Sequence, residues 1–269
     1  MSFATFDQYV TKLPGQRASI YKEAMTTSGG SSYDQFTRPG HPHIGTGPNT
    51  VGGNEIPTKA NPGALPFDNA PVGKQLHLSR MTSSVSNGGM ILYDRLWHGW
   101  IANGVNSGGL LQSYASSPIV DRSLKDDFSD VELWFSITTG DGTGRGWRIY
   151  FEDENGAARD TGSFIVNAFP VNRQIQVNAQ QFHPEIKGIR RVTGFQWNGT
   201  GSLVEGYVVL ARRIAEIRPS GAPFQYDEGP LETGLPIIPN DACLSTLMFT
   251  ASTSQPQTIT SINLAEGDA

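Results

Sequence analysis

The chain has 269 residues, of which 31 are glycine, 17 are proline and only 17% are charged. This length allows one large or two small domains, and the excess of turn formers over helix formers predicts an all-β fold with extended segments. The net charge of −5 counts against a nucleic-acid-binding protein, because neutralising phosphates takes clustered lysine and arginine.

The first predicted element is a short N-terminal helical segment in two pieces. In the first piece the apolar residues fall on one stripe: Phe6, Tyr9, Val10 and Leu13. Pro14 and Gly15 interrupt it, and residues 16–25 form the second piece. Because helices this short are marginal in water, the stripe must dock on this chain or on a neighbour.

Residues 26–70 are rich in glycine and proline, and their apolar residues show almost no periodic spacing. A loop of this length is uncommon inside a compact domain. Two outcomes are open, a disordered arm or an extended arm that is ordered by lying on another surface, and we favour the second. With the helical segment it makes up an N-terminal region of residues 1–74.

The residue pattern in the middle of the chain predicts short strands. Residues 76–101 indicate two strands joined by a tight turn at an Asn-Gly pair. Residues 131–137 alternate most clearly, and residues 146–151 follow across a hairpin loop. One face of these two strands supplies the predicted core, which consists of Leu133, Phe135, Ile137, Trp147, Ile149 and Phe151.

Four more strands are predicted before residue 218, at residues 162–167, 174–178, 190–197 and 203–210. Strands at this spacing, with no helices between them, favour an antiparallel β-sandwich of the jelly-roll kind. We assign residues 75–218 to this domain.

Residues 219–269 form an acidic C-terminal tail, with six carboxylates and no lysine or arginine. Five prolines make its first part extended, and two late strands are predicted at residues 244–251 and 258–264. Late strands complete a sheet, because an unpaired strand leaves backbone donors unsatisfied. Pairing of these two strands in the chain's own sheet and pairing in a partner's sheet are equally consistent with the sequence.

No motif in the chain carries chemistry. Residues 141–146 look like a phosphate loop, but they lack the Lys-Ser/Thr ending and precede a strand instead of a helix. The histidines lack zinc spacing, no Gly-x-Ser-x-Gly is present, and Cys243 has no nucleophile signature. We expect no catalytic residue, no cofactor, no metal and no enzymatic activity.

No membrane segment is predicted either. No leader pattern follows Met1, and no apolar run reaches the length of a bilayer span. We expect no membrane partner and synthesis in the cytoplasm.

The five tryptophans suggest a carbohydrate-binding alternative, in which sugars stack on exposed rings. Trp134 and Arg148 are predicted on outward faces of their strands, which keeps this alternative open. Aromatic residues fill cores and protein interfaces more often, so we favour core or interface positions for most of them.

Three features together resemble a family of tailed-bacteriophage virion proteins associated with the head. They are the opening TFDQYV at residues 5–10 with Ile20-Tyr21-Lys22, the Gly/Pro-rich arm, and LYDRLWHG at residues 92–99. The resemblance extends over about residues 3–210. It implies a homo-oligomeric decoration or cement protein on the capsid surface, whose partner is the major capsid protein or another virion protein. A tail or fibre position stays open.

Both ends of the chain are expected to act as assembly arms. Single bulky residues between prolines suit pockets on another surface, and linked weak contacts strengthen one another. The predicted assembly contacts are Phe6, Tyr9, Tyr33, Phe36, Phe67, Phe224, Tyr226 and Phe249. On this interpretation residues 72–218 fold alone and both ends are protease-sensitive.

Two other function classes stay open. A carbohydrate-binding or receptor-binding module of a fibre would show exposed tryptophan faces. A β-sandwich hydrolase would show two carboxylates converging in a cleft.

Overall fold

A computed structural model describes residues 15–25, 27, 29–50, 52–85, 88–102, 111–114, 117–139, 145–166, 173–198, 205–217, 225–228, 234–250 and 258–268. Eighteen strands and one 3-10 turn, Ala179–Gln181, make up the described elements. All strand pairings among them are antiparallel. The predicted all-β antiparallel class is therefore confirmed.

The largest sheet closes on itself as a barrel. Its strands run in the order β14-β8-β12-β2-β17-β6, and β6 pairs again with β14, while the short β4 lies beside β6. The bounds are β2 Ser31–Asp34, β4 Asn54–Glu55, β6 Gly88–Ala102, β8 Glu132–Thr139, β12 Arg173–Val177, β14 Glu205–Ile217 and β17 Leu244–Thr250.

Two further sheets lie beside the barrel. The terminal sheet, which contains the first and last described strands, has the order β15-β5-β18-β1-β3, with β16 paired to β5. Its bounds are β1 Gln16–Lys22, β3 Gly40–His41, β5 Lys74–Ser84, β15 Gln225–Glu228, β16 Ile237–Ile238 and β18 Thr258–Asp268. The third sheet has the order β10-β9-β13-β7, with β11 paired to β9. Its bounds are β7 Leu111–Ser113, β9 Arg145–Asp153, β10 Ala158–Asp160, β11 Phe164–Val166 and β13 Ile189–Asn198.

Strand β6 contributes residues to three of the four apolar clusters of the described residues, because its two faces and its two halves point to different neighbours. Tyr93 belongs to the cluster inside the barrel. Leu92 packs outward with residues of the terminal sheet, and Trp97 packs outward with residues of the third sheet. The register between β6 and β14 shifts at Leu96, as in a β-bulge, and such bulges bend long strands.

The predicted core of the central region is confirmed. Leu133, Phe135, Ile137, Trp147, Ile149 and Phe151 are each at most 2% exposed and lie in one cluster. The predicted hairpin between their strands is wrong, because β8 belongs to the barrel and β9 to the third sheet. Each strand has one apolar face, and placing the two faces opposite each other across the core buries both.

We expect Ile149→Val to lower the free energy of unfolding by about 1 kcal/mol, because it removes one methyl group from a packed core. Ile149 is 0% exposed, whereas Ile119 is 44% exposed and serves as the matched control. Urea melts of Ile149→Val and Ile119→Val give the comparison. Equal losses in the two variants would contradict the burial of Ile149.

The two strands predicted in residues 76–101 are present as β5 and β6, but they do not form a paired hairpin. β5 pairs with β18 in the terminal sheet, and β6 pairs with β14 and β17 in the barrel. Part of the predicted turn, residues 86 and 87, lies outside the described residues. The two strands on either side of these residues therefore belong to different sheets.

The second predicted helical piece, residues 16–25, is wrong, since Gln16–Lys22 is strand β1. Its burial alternates strictly: Ala18, Ile20 and Lys22 are buried, and the residues between them are exposed. All seven residues pair with β18, which supplies the hydrogen bonds that a short helix would lack. The first predicted piece, residues 3–13, lies outside the described residues.

Both regions that we expected to be arms contribute interior strands. β2, from the Gly/Pro-rich segment, lies between β12 and β17 in the barrel. β17 lies between β2 and β6, and β18 lies between β5 and β1. Of the two possibilities for the late strands, pairing in the chain's own sheets is the one observed.

Candidate functional site

Three of the predicted assembly contacts lie inside this chain. Tyr33 and Phe36 are 0% exposed and Phe67 is 8% exposed, so a partner cannot reach them. Phe249 is partly buried against the interior of the barrel. Phe6, Tyr9 and Phe224 lie outside the described residues, as does the side chain of Tyr226 on β15. Tyr33, Phe36 and Phe67 thus fill the chain's own core.

All five tryptophans of the chain are buried. Trp97, Trp100, Trp134, Trp147 and Trp197 are each at most 8% exposed. The predicted outward position of Trp134 is wrong, because that face of β8 points into the barrel, where its ring lies 4.8 Å from the ring of Tyr93. Arg148 is 38% exposed, as predicted. The tryptophans therefore offer no stacking face for a sugar.

The barrel interior contains a buried ion pair that we did not foresee. Asp34 and Arg95 are both 0% exposed, and an Arg95 Nη1–H donates to Asp34 Oδ2 at 2.7 Å. The carboxylate also accepts hydrogen bonds from the Tyr93 hydroxyl at 2.6 Å and from the Phe36 backbone at 3.0 Å. Partners of this kind are what keep a charge stable in a low-dielectric interior.

The ion pair continues towards the surface through a histidine. Arg95 Nε–H donates to His98 Nδ1 at 2.7 Å, and since arginine is always the donor, His98 carries its proton on Nε2. That Nε2–H donates to Glu55 Oε1 at 2.8 Å. The Glu55 side chain is 35% exposed, so the chain of contacts ends at solvent.

Burial, together with the positive charge of Arg95, lowers the pKa of His98 from 6.5 to about 4. The hydrogen bond from His98 lowers the pKa of Glu55. Both shifts favour a neutral imidazole beside a charged carboxylate at neutral pH, which agrees with the hydrogen-bond directions. Asp34, Arg95, His98 and Glu55 form a hydrogen-bonded chain in which the buried charges of Asp34 and Arg95 compensate each other and the charge of Glu55 reaches solvent.

Acid should destabilise the protein through His98. Between pH 6.5 and 4 the unfolded chain binds a proton at this position and the folded chain does not, so stability falls as pH falls. The loss should reach about 3 kcal/mol by pH 4. His98→Gln can keep both hydrogen bonds without titrating, and urea melts from pH 7 to 4 compare the two proteins. If the free energy of unfolding fell equally with pH in the wild type and in His98→Gln, His98 would not be the cause of the loss.

A second buried ion pair, between Arg122 and Asp94, joins β6 to other segments on the outside of the barrel. Arg122 donates to both oxygens of Asp94, at 3.1 and 3.2 Å, and to the carbonyls of Pro57 and Arg95 at 2.9 and 2.8 Å. The backbone N–H of Cys243 donates to the same carboxylate at 2.9 Å. Asp94 and Arg122 together therefore join β6 to the segments that contain Pro57, Arg122 and Cys243, which are distant in sequence.

The described residues bring together no catalytic constellation. Within these ranges no group of three or more His, Cys, Asp or Glu side chains is placed to hold a metal ion. Cys243 is buried, and burial raises the pKa of its thiol, so no accessible thiolate forms. The absence of enzymatic activity stays a prediction.

The sequence did contain a signal for the buried ion pairs. Asp94 and Arg95 are adjacent charges inside a strand whose other residues are mostly large and apolar. Charges in such a run are buried only when they are paired. The partners, Asp34 and Arg122, could not be identified from spacing alone.

No family model matches the chain, and no curated protein does. A structure of the Gx strain of infectious bursal disease virus shares 10% identity, with a TM-score of 0.22, over 94% of this chain and 80% of that chain. A subviral particle of VP2 from the same virus shares 11% identity, with a TM-score of 0.19, over 94% of this chain and 80% of that chain. Similarities with TM-scores this low support no conclusion about the fold or function of this chain.

In the part of the chain that the structure describes, no helix is long and apolar enough to cross a bilayer.

Proposed function

We propose that this chain is a non-enzymatic structural protein of a tailed-phage particle that binds the capsid surface as a decoration protein and stabilises the head. The resemblance over about residues 3–210 supports the class of protein. It also supports the major capsid protein as partner, with further copies of the chain beside it.

One observation carries the structural role: both described ends of the chain are locked into sheets. β1 pairs with β18 from Gln16 opposite Leu264 to Lys22 opposite Thr258. β18 is also paired to β5 on its other side, so it leaves the sheet only by breaking two ladders of hydrogen bonds. Pairing of both described ends within one sheet counteracts fraying and proteolysis of these strands, as the outside of a particle requires.

The carboxylates support a non-enzymatic role. Asp34 and Asp94 are 0% exposed, and each is held by a guanidinium group. A carboxylate that cleaves a glycosidic bond must reach the substrate and exchange protons with it. These two groups are better suited to holding strands together.

The burial of the expected arm contacts changes how the protein would attach. Tyr33, Phe36 and Phe67 are used inside the fold, so for the described residues we place attachment on the outer faces of the sheets. The alternative, a carbohydrate-binding module of a fibre, takes second place because no tryptophan face is exposed.

Quantitative mass spectrometry of purified particles tests the proposal. We expect the chain in a fixed ratio to the major capsid protein, and in the head fraction after heads and tails are separated. Particles lacking it should release their DNA at a lower temperature. Recovery of the chain only with tails or fibres, or its absence from particles, would contradict the decoration role.

A further inference from the structure

We propose that the free edge of the terminal sheet joins two copies of this chain, through antiparallel pairing of β1 with the β1 of a second copy. β1 lies between β18 and β3. All seven of its residues pair with β18, but only Tyr21 and Lys22 pair with β3. Residues 16–20 therefore have no neighbouring strand on the β3 side among the described residues. An edge of this kind is a template for another strand.

The unused backbone groups on this edge belong to Arg17 and Ser19. The N–H of Glu23 donates to the carbonyl of Pro39 at 3.1 Å, next to the residues that pair with β3. Because backbone groups alternate between the two sides of a strand, those of Arg17 and Ser19 face the same way as those of Glu23. On that side neither residue has a backbone hydrogen bond with a described residue. Two N–H groups and two carbonyls are thus available to a partner strand.

The edge is also accessible. Arg17 and Ser19 are exposed, and Ala18 between them is small and buried on the inner face of the sheet. An open groove of about 600 Å³ lies beside Gln16 and Arg17 and is bounded by residues 59–60 and 66–68. β1 contains no proline, and its register with β18 is continuous. It therefore lacks two devices, proline and the β-bulge, that protect edges in natural sheets.

The spacing of the free groups matches a second copy of the same strand. With a twofold axis at Ala18, Arg17 lies opposite Ser19 of the second copy, and the two such pairs exchange four hydrogen bonds. Sliding the strands one way would place Arg17 opposite itself, and like charges directly opposite each other are destabilising. Sliding them the other way would place Arg17 opposite Tyr21, whose edge is occupied by His41. The register centred on Ala18 is thus the favoured one.

Pairing in this register closes the assembly at two copies. β3 of each copy limits the pairing to residues 16–20, because it occupies the same side of β1 from Tyr21 onwards. A twofold interface uses the same edge of both copies and leaves neither open, which gives a dimer instead of a filament. The inference deepens the proposed function by naming the surface through which copies join. It rests on that function only for the role of the dimer on the particle.

Sedimentation equilibrium of the full-length chain tests the dimer, and we expect a concentration-dependent equilibrium between monomer and dimer. Ser19→Pro removes the outward N–H from each copy and keeps the backbone hydrogen bonds to β18. It should raise the dissociation constant at least about tenfold, because two of the four hydrogen bonds are lost. Ser19→Ala removes the hydroxyl but keeps the N–H, so its dissociation constant should stay within about twofold of the wild-type value. Unchanged melting temperatures establish that both variants are folded.

Cysteine cross-linking tests the register and does not depend on a proline being tolerated. Residues opposite each other in a hydrogen-bonded pair have Cα atoms about 5.5 Å apart, which a disulfide can span. Residues two positions further along the opposite strand are about 7–8 Å away. A mixture of Arg17→Cys and Ser19→Cys chains should therefore cross-link on mild oxidation more than either variant alone. Cys243 is buried and should not compete.

A chain that stays monomeric at its highest soluble concentration would overturn the inference. So would a dimer that folded Ser19→Pro leaves unchanged, or cross-linking of Arg17→Cys alone that equals that of the mixture. If Ser19→Pro does not fold, the cross-linking result decides. Failure of the edge is distinguishable from failure of the proposed function. A dimer whose chain is absent from particles keeps the edge and loses the decoration role, and a monomeric chain on particles does the reverse.

Discussion

A chain cut back to residues 72–218 is expected to be unfolded, although periodicity alone led us to expect an independent domain. The cut removes β2 and β17 from the barrel, which leaves open edges on β12 and β6. The terminal sheet keeps only β5 of its six strands. A single strand cannot satisfy its backbone groups or cover an apolar face.

The apolar surface that the cut exposes is large compared with ordinary stability. Leu76, Leu78 and Met81 on β5 are 0% exposed and pack against residues that the short chain lacks. Exposing each such side chain costs roughly 1.5–3 kcal/mol, whereas a whole domain is stable by only about 5–15 kcal/mol. Met90 and Leu92 on β6 belong to the same cluster and lose their partners too.

Far-UV circular dichroism, amide proton dispersion and urea melts of the short chain provide the measurement. A cooperative melt with native dispersion would show that the central residues fold without the ends. In the full-length chain, limited proteolysis should spare β17 and β18, each of which lies between two neighbouring strands. Early cleavage within those strands would contradict their interior positions.

The local alternation of apolar and polar residues predicted most strands, because the two faces of a strand lie in different environments. It failed at Gln16–Lys22, where Ile20 and Tyr21 are adjacent bulky residues that fit a short helix as well as a strand. The deciding partner is β18, more than 200 residues away, where Ser19 and Ser261 also share a hydrogen bond. Neither propensity nor spacing contains that information.

The same limit explains the expected assembly residues. Tyr33 and Phe36 look like isolated anchors because their neighbours in sequence are polar or turn-forming. They are buried by elements from elsewhere: Tyr33 lies opposite Met248, and Phe36 packs in a cluster with Cys243. A bulky residue in a pattern-free segment indicates burial, but the sequence does not say whether the burying surface is the chain's own.

Asp34→Ala is expected to lower the free energy of unfolding by about 3–5 kcal/mol, because it leaves Arg95 charged and unpaired in the barrel interior. Tyr93 and the backbone of Phe36 also lose their acceptor. The exposed pair between Lys74 and Asp268 gives the matched control. Asp268→Ala, at a side chain that is 63% exposed, should cost less than about 1 kcal/mol.

The double variant Asp34→Ala/Arg95→Met separates the ion pair from its surroundings. If the loss in Asp34→Ala arises from an uncompensated charge, removing Arg95 as well should recover part of it, since apolar replacements of buried pairs are often near neutral. Recovery will be incomplete, because Tyr93 and His98 each lose a hydrogen-bond partner. Urea melts at pH 7 of the two single variants and the double variant give the coupling energy. Additive losses, with no recovery, would mean that the two charges stabilise the barrel independently and that the ion pair does not hold it together.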